Sequence, residues 1–113
     1  MTIKWVKVDP LVMNGEPFCY NTRLTVRNLL EMRAAGYTPA RMLAENPELR
    51  LVGIAEAFRY AAEARPRYAE FFAPDGTLRG PGFSPQEATS LPEHLRGLHG
   101  VVVTEPVTEA SST

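Results

Sequence analysis

The side chains best suited to chemistry are few. The single cysteine, Cys19, sits in Pro17-Phe18-Cys19-Tyr20, a run with no activating neighbour for a thiolate, so it reads as a small apolar strand residue. His94 and His99 lie five apart with no cysteine near them, and that spacing does not spell a zinc site. Arg79-Gly80-Pro81-Gly82 is glycine-rich. It lacks the following Lys-Ser/Thr of a phosphate loop and its proline removes an amide donor, so it reads as a plain turn. The acids are scattered, with no pair that spacing alone would hold together. A non-enzymatic binding protein without metal or cofactor is the expectation.

A second kind of chemistry is nucleic-acid contact. Arg50, Arg59 and Tyr60 lie on or beside the third of three short helices, where they would reach phosphates or base edges if that helix read DNA. The plainer reading is a helix that closes a small core and shows a solvated face. Arg50, Arg59 and Arg65 are each offset by a nearby acid, Glu48, Glu56 and Glu63, whereas a DNA reader shows a denser basic stripe.

The elements that would position these residues follow from local patterns. Ile3 to Val8 alternates as a short strand, Asn14-Gly15 is a turn signal, and Pro17 to Tyr20 forms a second strand. Helix one starts near Thr25, with Thr25 or Thr22 as its cap, and ends before Gly36. Its stripe is Val26, Leu29 and Leu30, with the stem of Arg33 at the end. Thr38 caps helix two with Pro39 in its first turn, and Asn46-Pro47 stops it. Helix three runs from about Leu51 to about Ala64, with Leu51, Ile54, Ala55, Phe58, Ala61 and Ala62 on one face.

Beyond Arg65 prolines and glycines break every pattern within a few residues. Tyr68, Phe71 and Phe72 form a satellite apolar cluster, Ser84 to Glu87 reads as a capping box, and Pro92 to Leu98 as a short helix. Val101 to Val103 suits an added strand. The expected organisation is a helix-turn-helix domain over 1–65, an irregular extension with short helices over 66–103 and a disordered tail over 104–113. The fold class is mainly α: a short N-terminal two-stranded β element, a three-helix homeodomain-like core and the irregular extension.

The chain has 113 residues, 44% of them hydrophobic, and a net charge of −1, which suits one small core and no strongly basic nucleic-acid surface. Residues 1–67 carry ten basic and seven acidic side chains, and residues 68–113 carry two and six. The front is therefore mildly basic and the back acidic. No apolar run is long enough to span a membrane, no secretory leader is apparent, and a lone cysteine fits a reducing cytoplasm.

The run Asn14-Gly15-Glu16-Pro17-Phe18-Cys19-Tyr20-Asn21-Thr22-Arg23-Leu24-Thr25-Val26 is followed by a helix, a glycine, a capped short helix, Asn46-Pro47-Glu48-Leu49 and an alanine-rich helix. This order resembles the family catalogued as domain of unknown function 433, associated with VapB-like antitoxins of bacterial toxin–antitoxin pairs. Gly15, Pro17, Thr22, Arg23, Leu24, Val26, Ala35, Gly36, Pro47, Leu49, Ile54, Ala57 and Tyr60 fit its pattern, over roughly residues 3–64. Asn14, Glu16, Asn21 and Arg50 depart from it, in place of glycine, lysine, glycine and a capping Ser or Thr.

The resemblance implies an antitoxin-like protein whose three-helix unit binds operator DNA as a homodimer. Its acidic extension would block a partner toxin, a PIN-type ribonuclease by family analogy. The alternative is a protein-interaction module of the same fold without DNA binding. Gly15, Pro17, Thr22 and Arg23 form the structural motif. Arg23 is expected to be buried or half-buried, tying strand carbonyls to a carboxylate such as Asp9, with Thr22 as a local cap.

Overall fold

In the computed structural model, residues 5–11, 15–20, 22–98 and 100–104 are described. Asn14 of the turn signal, Ile3 of the first strand, His99 and the tail from residue 105 lie outside them. The chain is mainly helical with a two-stranded antiparallel sheet near its start.

The sheet pairs β1, Val6–Lys7, with β2, Phe18–Cys19, in the register Val6↔Cys19 and Lys7↔Phe18. Three α-helices follow: α1, Val26–Ala34; α2, Pro39–Glu45; and α3, Leu51–Glu63. Then come a 3-10 segment at Arg65–Phe71, another at Glu87–Ser90, and the one-turn helix α4 at Glu93–Arg96.

The caps explain where the helices begin. The Thr25 hydroxyl accepts from the Asn28 amide at 3.0 Å, and the Asn28 side chain accepts from the Thr25 amide at 3.0 Å. Two of the otherwise orphaned N–H groups at this helix start are thus satisfied reciprocally. Thr38 caps α2 by accepting from the Arg41 amide at 3.2 Å, with Pro39 in the first turn. The third helix starts differently: Arg50 occupies its N-cap with no side-chain cap, so packing rather than capping fixes that end. Gly36 takes φ +102° just past α1, the left-handed conformation that suits glycine at a helix end.

α3 is the central element. It packs against α1, α2, both strands, the 3-10 segment at Arg65–Phe71 and α4. Gly53, Ile54, Ala55, Ala57, Phe58 and Ala61 are buried on it. A Cβ on Gly53 would stand 3.4 Å from the Trp5 ring, an ordinary packing distance, so the cost of a glycine inside a helix, about 1 kcal/mol, is not one that packing demands there.

Buried apolar residues of the extension complete the core begun by the helices. Tyr68, Phe71, Phe72, Leu78, Phe83, Leu91, Leu95, Val102 and Val103 join Val26, Leu29, Leu30, Ile54 and Phe58 in one buried cluster. Tyr68, Phe71 and Phe72 are therefore part of the main core and not a satellite. Backbone bonds tie the extension to itself: Leu78 N–H to the Gly100 carbonyl at 2.7 Å, Phe83 N–H to Val102 at 2.9 Å and Thr104 N–H to Phe83 at 2.7 Å. Phe83 and Val103 form a parallel bridge, so the valine run at 101–103 pairs as its sequence suggests. The Ser84 box also forms, with Ser84 N–H to Glu87 at 2.9 Å and Glu87 N–H to Ser84 at 3.0 Å.

The largest fully buried side chain is Arg33, at the C-terminal end of α1. Its Nε donates to the Gly80 carbonyl at 3.2 Å, one terminal nitrogen donates to the Val101 carbonyl, and the other reaches Gly100 at 3.5 Å. The guanidinium lies over the Phe58 ring, 4.6 Å from its centroid. Burial pushes the Arg33 pKa down to about 10, which still leaves the group charged at neutral pH. Five donors in a planar fork allow one side chain to gather three carbonyls from two segments of the extension.

The glycines at 80 and 82 make that gathering possible. A Cβ on Gly80 would fall inside the Arg33 carbonyl, and one on Gly82 would come within 2.7 Å of the Val102 oxygen and 3.0 Å of the Arg33 guanidinium. Gly80 also has φ +92°. The Arg79-Gly80-Pro81-Gly82 segment is therefore the seat of a buried arginine, beyond the plain turn its sequence suggests. Gly80→Ala is expected to cost about 2–4 kcal/mol, combining left-handed strain with a forced backbone shift. Chemical denaturation checks it, and a midpoint within error of wild type would contradict the close approach.

Candidate functional site

The candidate site from the sequence is the solvent side of α3. Two neighbouring carboxylates hold Arg59: its Nε donates to Glu56 at 2.9 Å and a terminal nitrogen donates to Glu63 at 2.5 Å. The Glu56 hydrogen bond raises the Arg59 pKa further. The other Glu56 oxygen meets His94 of α4 at 3.1 Å. The spacing produces this strip directly, since positions three and four apart on a helix share a face. Glu56 is the more enclosed acid, with its side chain 15% exposed against 61% for Glu63.

Tyr60 does not stand beside Arg59 as a free contact. It is half-buried, with its ring edge-on to Tyr68 at 6.5 Å between centroids. Arg50 sits apart from both, exposed at the start of α3, where its guanidinium donates to the Leu49 carbonyl at 3.1 Å and to Pro47 at 3.4 Å. The three residues expected to form one DNA-contact face are thus a neutralised arginine, a core-edge tyrosine and a separate arginine.

The motif residues hold the strand-to-helix corner. Gly15 has φ +78°. The buried Pro17 offers its carbonyl to Val26 N–H at 2.9 Å. The Thr22 hydroxyl donates to the Cys19 carbonyl at 2.9 Å and accepts from Leu24 N–H at 3.1 Å, which is the local cap expected of it. Arg23 corrects the expectation: it is exposed, and no hydrogen bond involves it among the described residues. The Asp9 carboxylate it was to meet accepts from Leu11 N–H at 2.9 Å instead. The turn that Thr22 closes is too tight to return the next side chain to the core, and the buried arginine is Arg33, one helix further on. Its sequence signal was its place at i+7 on the Val26-Leu29-Leu30 stripe.

Cys19 is buried, and desolvation pushes its thiol up to about 12, opposite to what nucleophilic chemistry needs. Among the described residues no group of three or more His, Cys, Asp or Glu side chains is arranged to hold a metal ion. No helix among them is long and apolar enough to cross a membrane.

The described acids of the extension, Glu70, Asp75, Glu87 and Glu93, are all exposed, beside exposed Arg79 and Arg96. Glu70 pairs with Arg27 at 2.5 Å. Asp75 is held below the usual carboxylate range by hydrogen bonds from the Thr77 amide and hydroxyl.

Neither a curated protein nor a solved structure matches the chain significantly. Residues 6–61 match the model of a family described as protein of unknown function (DUF433), a span that covers the sheet, α1, α2 and nearly all of α3 and stops short of the extension. Through that domain the chain belongs to the DUF433 family.

Proposed function

We propose that this chain is a protein-binding module, an antitoxin-like member of its family that acts on a protein partner and does not use α3 to read DNA. The observation that carries the reading is Arg59, clamped between Glu56 and Glu63. A phosphate contact there would displace two carboxylates and leave them in the field of the DNA backbone, where like charge is repelled.

The partner contact falls to the acidic face of the extension. Its buried apolar residues, Tyr68, Phe71, Phe83 and Leu95 among them, anchor the extension in the core, so a partner docks on a folded surface and not on a detached arm. Exposed Glu70, Asp75, Glu87 and Glu93 suit a basic cleft such as that of an RNA-cutting toxin of the PIN type. Reversing charge at Glu93, whose side chain makes no hydrogen bond or ion pair among the described residues, is expected to weaken partner capture and its salt dependence, with little change in the melting temperature.

A second reading, a DNA-binding antitoxin that contacts its operator, is favoured by Arg50. It is exposed at the start of α3, with no carboxylate partner among the described residues, and helix starts of this kind approach DNA in helix-turn-helix proteins. A titration of the chain against its own upstream DNA at two salt concentrations separates the readings. The protein-binding reading expects no salt-dependent binding at low salt and no change with Arg59→Ala. Binding whose salt slope falls by about one unit in Arg59→Ala would contradict it. A loss confined to Arg50→Ala would favour the second reading.

A further inference from the structure

The sheet has two edges, and among the described residues only one is covered. On the β2 side, Cys19 N–H donates to the Leu24 carbonyl at 2.8 Å, and Phe18 bridges Thr25. That edge is sealed by the chain entering α1. On the other side Tyr20 N–H donates to the Trp5 carbonyl at 2.7 Å, which makes Trp5 and Tyr20 a hydrogen-bonded pair. Alternation along an antiparallel ladder then turns the main-chain groups of Val6 outward, away from β2, and those of Val8 with them where the chain continues extended. Val8 makes no backbone hydrogen bond among the described residues.

The exposed large hydrophobic residues gather on the same hairpin. Val8 is 56% exposed, Leu11 93% and Tyr20 42%. Tyr20 is braced edge-on by Trp5, with ring centroids 6.0 Å apart, and Lys7 reaches over its ring. An open edge beside apolar side chains invites a further strand.

We propose that the strand added there is β1 of a second copy, paired antiparallel about Val8. The edge is complementary to itself in that register and unlike-charged across it. Val8 falls opposite Val8 of the other copy, Lys7 opposite Asp9, and Asp9 opposite Lys7. Moving the centre to Lys7 would set two lysines against each other, which disfavours that neighbouring register. Pro10 has no N–H to donate, so the ladder stops after a few residues. The interface is short and isologous, as a two-fold dimer requires. This goes beyond the partner-binding reading and does not depend on it, because self-association is measured with no partner present.

The test is the mass of the full chain in solution by analytical ultracentrifugation across the micromolar range. A monomer–dimer equilibrium is expected. Val8→Lys should weaken it by about tenfold or more, by setting two like charges opposite each other. Lys7→Glu and Asp9→Lys should each weaken it, and the double reversal should restore it. All three positions are exposed, so thermal melts should show that each variant stays folded. A wild type that stays monomeric throughout overturns the proposal, including a monomer whose edge accepts an extended segment of another protein instead. A dimer indifferent to Val8→Lys and to the charge reversals overturns it as well.

Discussion

Arg33→Met is expected to destabilise the chain by about 2–4 kcal/mol, lowering Tm by roughly 10 °C. Methionine fills similar space and removes a buried charge, a change that is often neutral when both partners of an ion pair are replaced together. Here the partners are main-chain carbonyls and cannot be replaced. Gly100 is buried and Val101 is half-buried, while Gly80 is exposed enough for water to take over. The Gly100 carbonyl keeps the Leu78 N–H, so one enclosed acceptor, that of Val101, is left without a donor, at about 1–3 kcal/mol. The contact with the Phe58 ring is lost as well. Arg33→Lys should recover little, because a single ammonium cannot reach carbonyls that a planar fork spans. Thermal denaturation of both variants checks this, and a melting temperature unchanged in Arg33→Met would show that the carbonyls find other donors.

Phe58→Ala is expected to cost about 3–5 kcal/mol, the usual range for emptying a buried aromatic site. Phe58 is fully buried and lies on α3 with its ring 6.3 Å from that of Phe83 in the extension. Its ring also lies under the Arg33 guanidinium. The cavity would open where α1, α3 and the extension meet, so no single element can close it by shifting. Because the two residues touch, the double variant Arg33→Met with Phe58→Ala should lose less than the sum of the single losses, by about 1 kcal/mol. Strict additivity would show that the contact contributes nothing.

The contrast between what was legible and what was not follows sequence separation. Thr25, Thr38, Pro39 and the Ser84 box act on residues three positions away or nearer, and their types alone foretell them. The stripe Val26-Leu29-Leu30 and the face Ile54-Ala55-Phe58-Ala61 are likewise periodic, and all of these residues are buried. Arg33 meets Gly80, Gly100 and Val101 across 47 to 68 positions. Nothing local distinguishes it from an arginine that snorkels off the end of an apolar stripe. The same distance hid the meaning of Gly80 and Gly82, whose need for glycine arises from a helix end far away in the chain. Arg23 was read as buried or half-buried from its place in a motif, where a tight turn decides its direction. On α3, the acids three and four positions from Arg59 were visible in the sequence and already argued against a basic stripe.

The central claim is that the extension and the family domain form one cooperative structure joined at Arg33, so that a partner meets a folded acidic face. Native-state hydrogen exchange tests it most directly. The amides of Leu78, Phe83 and Val102 in the extension, bonded to Gly100, Val102 and Leu98, should exchange only through global unfolding, with the same protection as the amides around Phe58 in α3. Exchange at Leu78, Phe83 and Val102 well ahead of α3 would contradict the claim, and would make the extension a segment that opens independently of the helical core.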